Sequence, residues 1–202
     1  MITIVDYKVG NLGSIQNMLK KIGSESIITS DPKAISSAKK LILPGVGSYD
    51  SGVNSLKKYK LWDVLNEKVL KEKTPVLGIC LGMQLLCNSS EEGKETGLGW
   101  IDAEVIRFRP KDKKFKIPHM GWNYVHAKKA SKLFQDMYED PKFYFVHSYY
   151  VDARDDSSLA KATYEISFDA AVEKGNVLGT QFHPEKSHKF GMKLLDNFVQ
   201  HY

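Results

Sequence analysis

Cys80 carries the first chemical signal in this chain. It stands in Val76-Leu77-Gly78-Ile79-Cys80-Leu81-Gly82-Met83-Gln84, where a short apolar run meets helix-forming residues and a glycine lies two positions to either side. A strand that turns abruptly into a helix at a nucleophile has this layout, with sulfur replacing the more familiar hydroxyl. At a helix N-terminus the dipole and the free N–H groups favour a thiolate, and the N–H of Leu81 would face a tetrahedral oxyanion. The same stretch also suits a structural cysteine buried in a glycine-containing turn, so it does not decide alone.

A second stretch, Gly179-Thr180-Gln181-Phe182-His183-Pro184-Glu185, ends a β-rich run with a histidine and a glutamate around a proline. Pro184 disfavours helix for His183, and in extended chain residues two apart point the same way. Glu185 can therefore orient the imidazole and stabilise its cationic form. His-x-Glu is common by itself; beside a cysteine elbow it makes a nucleophile, base and orienting acid. The third stretch is Leu43-Pro44-Gly45-Val46-Gly47, a glycine-rich turn after an apolar run. In a parallel sheet the strand C-termini share one edge, which would place this turn near Cys80, although an ordinary strand-to-helix connection reads the same way.

The elements that must carry these residues alternate for the first half of the chain. Residues 2–6, 25–29, 41–43 and 75–79 read as strands. Residues 12–22, 61–72 and 81–87 have helical period, with Gly23 placed as a C-terminal cap. The second half holds β-rich pieces at 100–108, 115–125, 143–152, 159–164, 168–173 and 176–182. A final helix follows, with Met192, Leu195 and Phe198 on one stripe. Residues 89–96 and 153–158 are polar enough for loops. The expected fold is α/β, a mostly parallel central sheet flanked by helices with antiparallel strands in its second half, as one domain over residues 1–202.

Composition narrows the function classes. The chain has 202 residues, 42% hydrophobic and 26% charged, with a net charge of +5, an ordinary globular balance. Its only arginines are Arg107, Arg109 and Arg154, and a nucleic-acid reader would concentrate them on one face; Lys57–Lys60 and Lys111–Lys116 read as solvated surface. No apolar run approaches the roughly 18 residues of a membrane span, and the N-terminus lacks the basic start of a secretory signal. The expected location is cytoplasmic, with Cys80 and Cys87 reduced. Two thiols do not make a closed zinc site, and no metal or cofactor is expected. His119, His126, His188 and His201 read as surface or packing residues, Cys87 as a packed small side chain, and Trp62 and Trp100 as packing residues.

Gly78-Ile-Cys80-Leu-Gly82-Met-Gln84 together with Gln181-Phe-His183-Pro-Glu185 resembles the triad (class I) glutamine amidotransferases. Further stretches resemble one branch, the glutaminase subunits of imidazole glycerol phosphate synthase from histidine biosynthesis. They are Asp6-Tyr7 with Gly10-Asn11-Leu12, Pro44-Gly-Val-Gly47, Pro118-His-Met-Gly-Trp-Asn123, Tyr144-Phe-Val-His-Ser-Tyr149 and Glu185-Lys-Ser187. The likeness covers the whole chain. It implies that Cys80 attacks the glutamine amide, His183 moves protons and Glu185 orients His183. It implies an oxyanion hole from Val46, Gly47 and Leu81, and a substrate site at Gly45, Gln84, His147, Ser148 and Tyr149. Lys8, Asn11, Trp122 and Asn123 would face a (β/α)₈-barrel cyclase that forms a heterodimer with this subunit and receives its ammonia, making imidazole glycerol phosphate and aminoimidazole carboxamide ribotide.

One position departs from that branch, where glycine is usual and this chain has Lys8. Paralogues serving surface-sugar amidotransferases would carry the same triad, as would a stand-alone Cys-His-Glu hydrolase. Glutaminases of anthranilate, aminodeoxychorismate, guanylate, carbamoyl phosphate or pyridoxal phosphate synthesis differ in the oxyanion turn and are not expected to carry residues 118–123.

Overall fold

The computed structural model describes residues 1–202. Four strands are buried along their whole length: β1 (Ile2–Val5), β3 (Leu41–Gly45), β4 (Val76–Cys80) and β13 (Val177–Thr180). Their near-continuous apolar runs suit parallel strands covered on both faces. With the edge strand β2 (Ser26–Thr29) they form a parallel set in the order β2-β1-β3-β4-β13. The sheet continues through β12 (Ile166–Lys174), β10 (Tyr149–Ala153), β6 (Ala103–Arg107) and the two-residue β5 (Ser89–Ser90). Antiparallel pairing begins at β12, which also holds β11 (Ser158–Tyr164), itself paired with β8 (His126–Ala127). A separate antiparallel ribbon joins β7 (His119–Tyr124) to β9 (Lys142–His147).

Helices cover both faces. α1 (Leu12–Lys21) and α6 (His188–His201) pack Ile15, Leu19, Leu194 and Phe198 against Ile4, Ile42, Leu77 and Ile79. On the opposite face α3 (Tyr49–Lys58), α4 (Trp62–Asn66) and α5 (Leu81–Leu85) place Val53, Leu65, Met83 and Leu85 over Val5, Leu43 and Val76. The alternation of strand side chains between the two layers is the pleat at work. The short α2 (Pro32–Ser36) starts where Asp31 accepts from the Lys33 N–H and Pro32 takes the first turn, a cap-plus-proline start. No helix is long and apolar enough to cross a membrane.

The α/β class and the two sheet regimes match the expectation, and several boundaries do not. The helix expected over 61–72 is α4 followed by a π-helical turn at Glu67–Lys71, closed by the Glu72 N–H to the Glu67 carbonyl; the wider turn accommodates one extra residue between α4 and β4. The expected strand at 143–152 is two strands, broken at Ser148, with β9 in the ribbon and β10 in the main sheet. Helix α3 has no clear local signature, because Gly52 and its serines depress helix propensity; burial of Tyr49, Val53 and Leu56 supplies its stability instead.

Helix α5 lies so close to the sheet that side chains are excluded at the contact. A methyl group at Gly82 would run into the Leu43 carbonyl, and one at Gly78 would lie 2.8 Å from the Gly82 carbonyl carbon. Gly82→Ala should therefore lower stability by about 3 kcal/mol, near the upper end of overpacking effects. Gly13→Ala in α1, where a methyl meets nothing within 4 Å, should raise it by about 0.5–1 kcal/mol. Urea unfolding of both variants checks this; equal midpoints would disprove the close-contact account.

Candidate active site

Parallel register brings three segments to one sheet edge. Gly45 pairs with Cys80 at the ends of β3 and β4, and Thr180 pairs with Ile79 at the end of β13. The turn after β3, the cysteine, and the segment leading to His183 are thus neighbours. Between β4 and α5 Cys80 adopts φ +55°, ψ −110°, a conformation disfavoured for a residue with a side chain. The close approach of α5 forces it and turns the sulfur out of the sheet. Cys80 is 7% exposed, and its Sγ accepts from Gln181 Nε2 at 3.7 Å.

His183 is pinned by its backbone. Its N–H donates to the Tyr144 carbonyl at 2.9 Å, and its own carbonyl accepts from Ser187 Oγ at 2.6 Å. Its Nδ1 bonds Glu185 Oε1 at 2.8 Å. Nε2 and Glu185 Oε2 are buried with no other protein partner. The two side chains meet as expected, by a different route. His183 is extended, but Pro184–Lys186 is a 3₁₀ turn that curls Glu185 back under the ring. Proline at the first position of that turn loses no hydrogen bond. Burial alone would lower the His183 pKa; the nearby Cys80 sulfur and the hydrogen-bonded Glu185 carboxylate outweigh it and push it up to about 10.

A cavity of about 290 Å³ opens on these groups. It is lined by Val46, Gly47, Cys80, Leu81, Gln84, Glu92, Pro118, Val146, His147, Ser148, Tyr149 and His183. Gly47 has φ +108°, and Val46 beside it is 44% exposed, so the turn that lines this side of the cavity is loosely packed. Gly45, expected in the substrate site, is instead a buried end of β3 and does not line the cavity. Gln84 donates through Nε2 to the Tyr149 carbonyl (3.2 Å) and to Gln181 Oε1 (3.0 Å), leaving Oε1 without a protein donor. His147 has both ring nitrogens engaged, Nδ1 on the Tyr149 carbonyl (2.7 Å) and Nε2 on His119 Nδ1 (2.9 Å). It therefore forms cavity wall and has no ring nitrogen free for a ligand.

Besides Pro118 and Val146, two polar residues in and beside the cavity lie outside the expected set. Glu92 belongs to the segment expected as a polar loop, and its Oε2 accepts the Tyr49 N–H at 2.8 Å at the start of α3; nothing in the local pattern marks it. His119, expected among surface or packing histidines, is 3% exposed and bonds His147; alternation along residues 118–124 is the signal that points inward. His126 and His188 are exposed, Cys87 is fully buried, and burial pushes its thiol pKa up. Trp100 is buried and donates to Asn66 Oδ1 at 2.7 Å.

Of the expected partner-facing residues, Lys8, Asn11 and Trp122 are exposed; Trp122 stacks on His188 at 5.3 Å. Asn123 is half-buried and turns its amide inward, to the Thr163 carbonyl and His119 Nε2. Lys8 has φ +67°, which is why glycine suits the position. The side chain of Asp6 compensates, accepting from the Lys8 N–H at 2.9 Å and from its ammonium at 2.6 Å.

Residues 3–202 match the glutamine amidotransferase class-I family, and the chain belongs to that family. It is a glutamine-hydrolysing enzyme, the activity that defines the class. Within the class it is similar to imidazole glycerol phosphate synthase subunit HisH 2 of Methanococcus maripaludis, 59% identical over 99% of both chains. The corresponding subunit HisH 2 of Pseudomonas aeruginosa is 49% identical, again over 99% of both. Subunit HisH of Leptospira interrogans is 44% identical over 98% of this chain and 99% of its own. Among solved structures, a glutamine amidotransferase superposes with TM-score 0.74 over 99% of this chain and 98% of its own, and one from Thermotoga maritima with 0.67 over 98% and 96%. Both are 19% identical and speak to the fold alone.

With its pKa pushed up to about 10, His183 should remain an imidazolium at pH 8, above the ordinary histidine value of about 6.5. Nitrogen-15 spectra of the ring should show it, and Glu185→Gln should move the titration downward. A His183 that titrates near 6.5 in the unaltered chain would contradict the assignment.

Proposed function

We propose that this chain is the glutaminase subunit of an imidazole glycerol phosphate synthase and works through Cys80, His183 and Glu185. The observation that carries the reading is the juxtaposition in one cavity of a strained strand–helix cysteine and the histidine of a buried His–Glu pair. The cysteine thiolate adds to the side-chain amide carbon of glutamine, and negative charge moves to the amide oxygen. The imidazolium of His183 gives its proton to the departing nitrogen, ammonia leaves, and a γ-glutamyl thioester remains. His183 then takes a proton from water as the oxygen attacks the thioester, and glutamate departs with the thiolate restored.

The main-chain N–H of Leu81 and an N–H from the Val46–Gly47 turn supply the oxyanion hole. One such donor is worth roughly 3 kcal/mol of barrier. Gly47 is at φ +108° with nothing within 4 Å of where a Cβ would stand, so this peptide can rotate and withdraw or present its donor. In the substrate site, Gln84 Oε1 accepts from the glutamine, Glu92 faces its α-ammonium, and Ser148 and Tyr149 complete the wall. The ammonia acceptor is a (β/α)₈-barrel cyclase docked on the surface that carries Lys8, Asn11 and Trp122. The location that goes with this pathway is the cytoplasm.

Cys80→Ala should abolish glutamine-dependent turnover in the reconstituted synthase and leave ammonia-dependent turnover intact; loss of both would remove Cys80 from the role of glutaminase nucleophile. His183→Ala should cost more than Glu185→Gln, since Glu185 orients a base that still exists without it. The isolated chain should hydrolyse glutamine slowly, gaining orders of magnitude when the cyclase holds its substrate; brisk turnover without partner would contradict the rotating turn.

A further inference from the structure

Two imidazoles outside the triad are joined in a chain of hydrogen bonds whose direction is set from both ends. At one end Asn123 has no freedom of orientation. Its Oδ1 accepts the Tyr124 N–H at 2.9 Å, so its Nδ2 points at the Thr163 carbonyl (2.9 Å) and at His119 Nε2 (3.3 Å). His119 Nε2 is therefore an acceptor, and a neutral His119 carries its proton on Nδ1, which donates to His147 Nε2 at 2.9 Å. At the other end the Tyr149 carbonyl can only accept, which requires the His147 proton on Nδ1, 2.7 Å away. The two ends independently demand the same tautomer of both rings.

Neutrality is enforced by the surroundings. His119 stacks between Tyr164 at 4.1 Å and Phe145 at 5.0 Å, with Phe108 and Phe168 at its edges. Burial lowers the pKa of His119 to about 4 and that of His147 to about 3. A proton added to either ring would set donor against donor along the chain.

The chain does not stop at Tyr149. The same carbonyl takes Gln84 Nε2 (3.2 Å), whose second proton goes to Gln181 Oε1 (3.0 Å). That contact fixes which end of the Gln181 amide faces Cys80, so it is Nε2 that reaches Sγ at 3.7 Å. Every amide and ring between Asn123 and the sulfur has its orientation set by its neighbour.

We propose that His119 and Asn123 are positioning residues for glutamine hydrolysis, holding the His147–Tyr149 wall and, through Gln84 and Gln181, the hydrogen bond to the Cys80 sulfur. The chain begins on β7, whose other side chains, Met120, Trp122 and Tyr124, are exposed. A partner that shifts this strand would reach the nucleophile without touching the cavity. The role rests on the glutaminase reading of the site.

The test uses the full-length chain and three variants. His119→Phe keeps the aromatic stack and deletes both nitrogens, His119→Gln returns a donor and an acceptor, and Asn123→Ala removes the outer donor from a half-buried site. Cys80 labelling is followed by peptide mapping with a glutamine-mimicking chloroketone and with iodoacetamide, and the His147 ring by nitrogen-15 spectra. His119→Phe should slow chloroketone labelling about tenfold or more, the scale on which small misplacements act, and the His147 Nε2 resonance should shift as it loses the His119 donor, while the Tyr149 carbonyl keeps the proton on Nδ1. His119→Gln should recover most of the rate, and Asn123→Ala should shift rate and resonance in the direction of His119→Phe. Equal behaviour of the Phe and Gln variants, slow or fast, would overturn the proposal, as would an unchanged labelling rate in Asn123→Ala if His119→Phe fails to fold. An unaltered chain that iodoacetamide labels at Cys80 and the chloroketone does not would instead sink the glutaminase reading and leave the nitrogen-15 result standing.

Discussion

Everything about the site depends on how closely α5 can lie against β3 and β4. At the crossing there is backbone on backbone, with Gly82 over the Leu43 carbonyl and Gly78 beneath Gly82. That contact leaves no room for a gradual bend between strand and helix, so the reversal falls on one residue, Cys80, at φ +55°. A strained backbone persists only where its surroundings over-determine it, and here a buried sheet on one side and a packed helix on the other do so. The orientation of the sulfur, the N–H of Leu81 and the proximity of the Val46–Gly47 turn all follow from the single crossing.

Three buried histidines in and beside the cavity show how partners decide protonation. His183 meets a carboxylate and the cysteine sulfur, and the two together more than offset the desolvation that burial imposes. His147 and His119 meet only a carbonyl, an amide, each other and aromatic rings; the Tyr149 carbonyl offsets burial of His147 only in part, and both pKa values fall. One residue type is thus held as a cation at one position and as a neutral ring at two others within one site.

The exposed features are consistent with an enzyme that does not work alone. The cavity is small, while the side chains of Met120, Trp122 and Tyr124 form an exposed row on a two-stranded ribbon. Single exposed apolar residues are ordinary; here three alternate along one strand. Lys8 adds a charge held in a left-handed conformation by Asp6, where a glycine would offer shape alone.

Much was legible in the residues themselves, because local sterics and periodicity are written in order along the chain. The glycines two either side of Cys80, the His-Pro-Glu stretch, the apolar parallel strands and the two-regime sheet all stand in the linear pattern. What tertiary structure decided were the matters in which distant segments share space. The π-helical turn at Glu67–Lys71 and the break at Ser148 depend on how far each segment must reach to its neighbours, which no local pattern encodes. Glu92 and His119 join the site for the same reason, one carried by a loop and the other by a ribbon outside the main sheet. The sequence by itself determined which groups could react and on what kind of element each sits; only folding decided which polar groups meet, because a hydrogen bond depends on positions in space and those were set by packing across the whole chain.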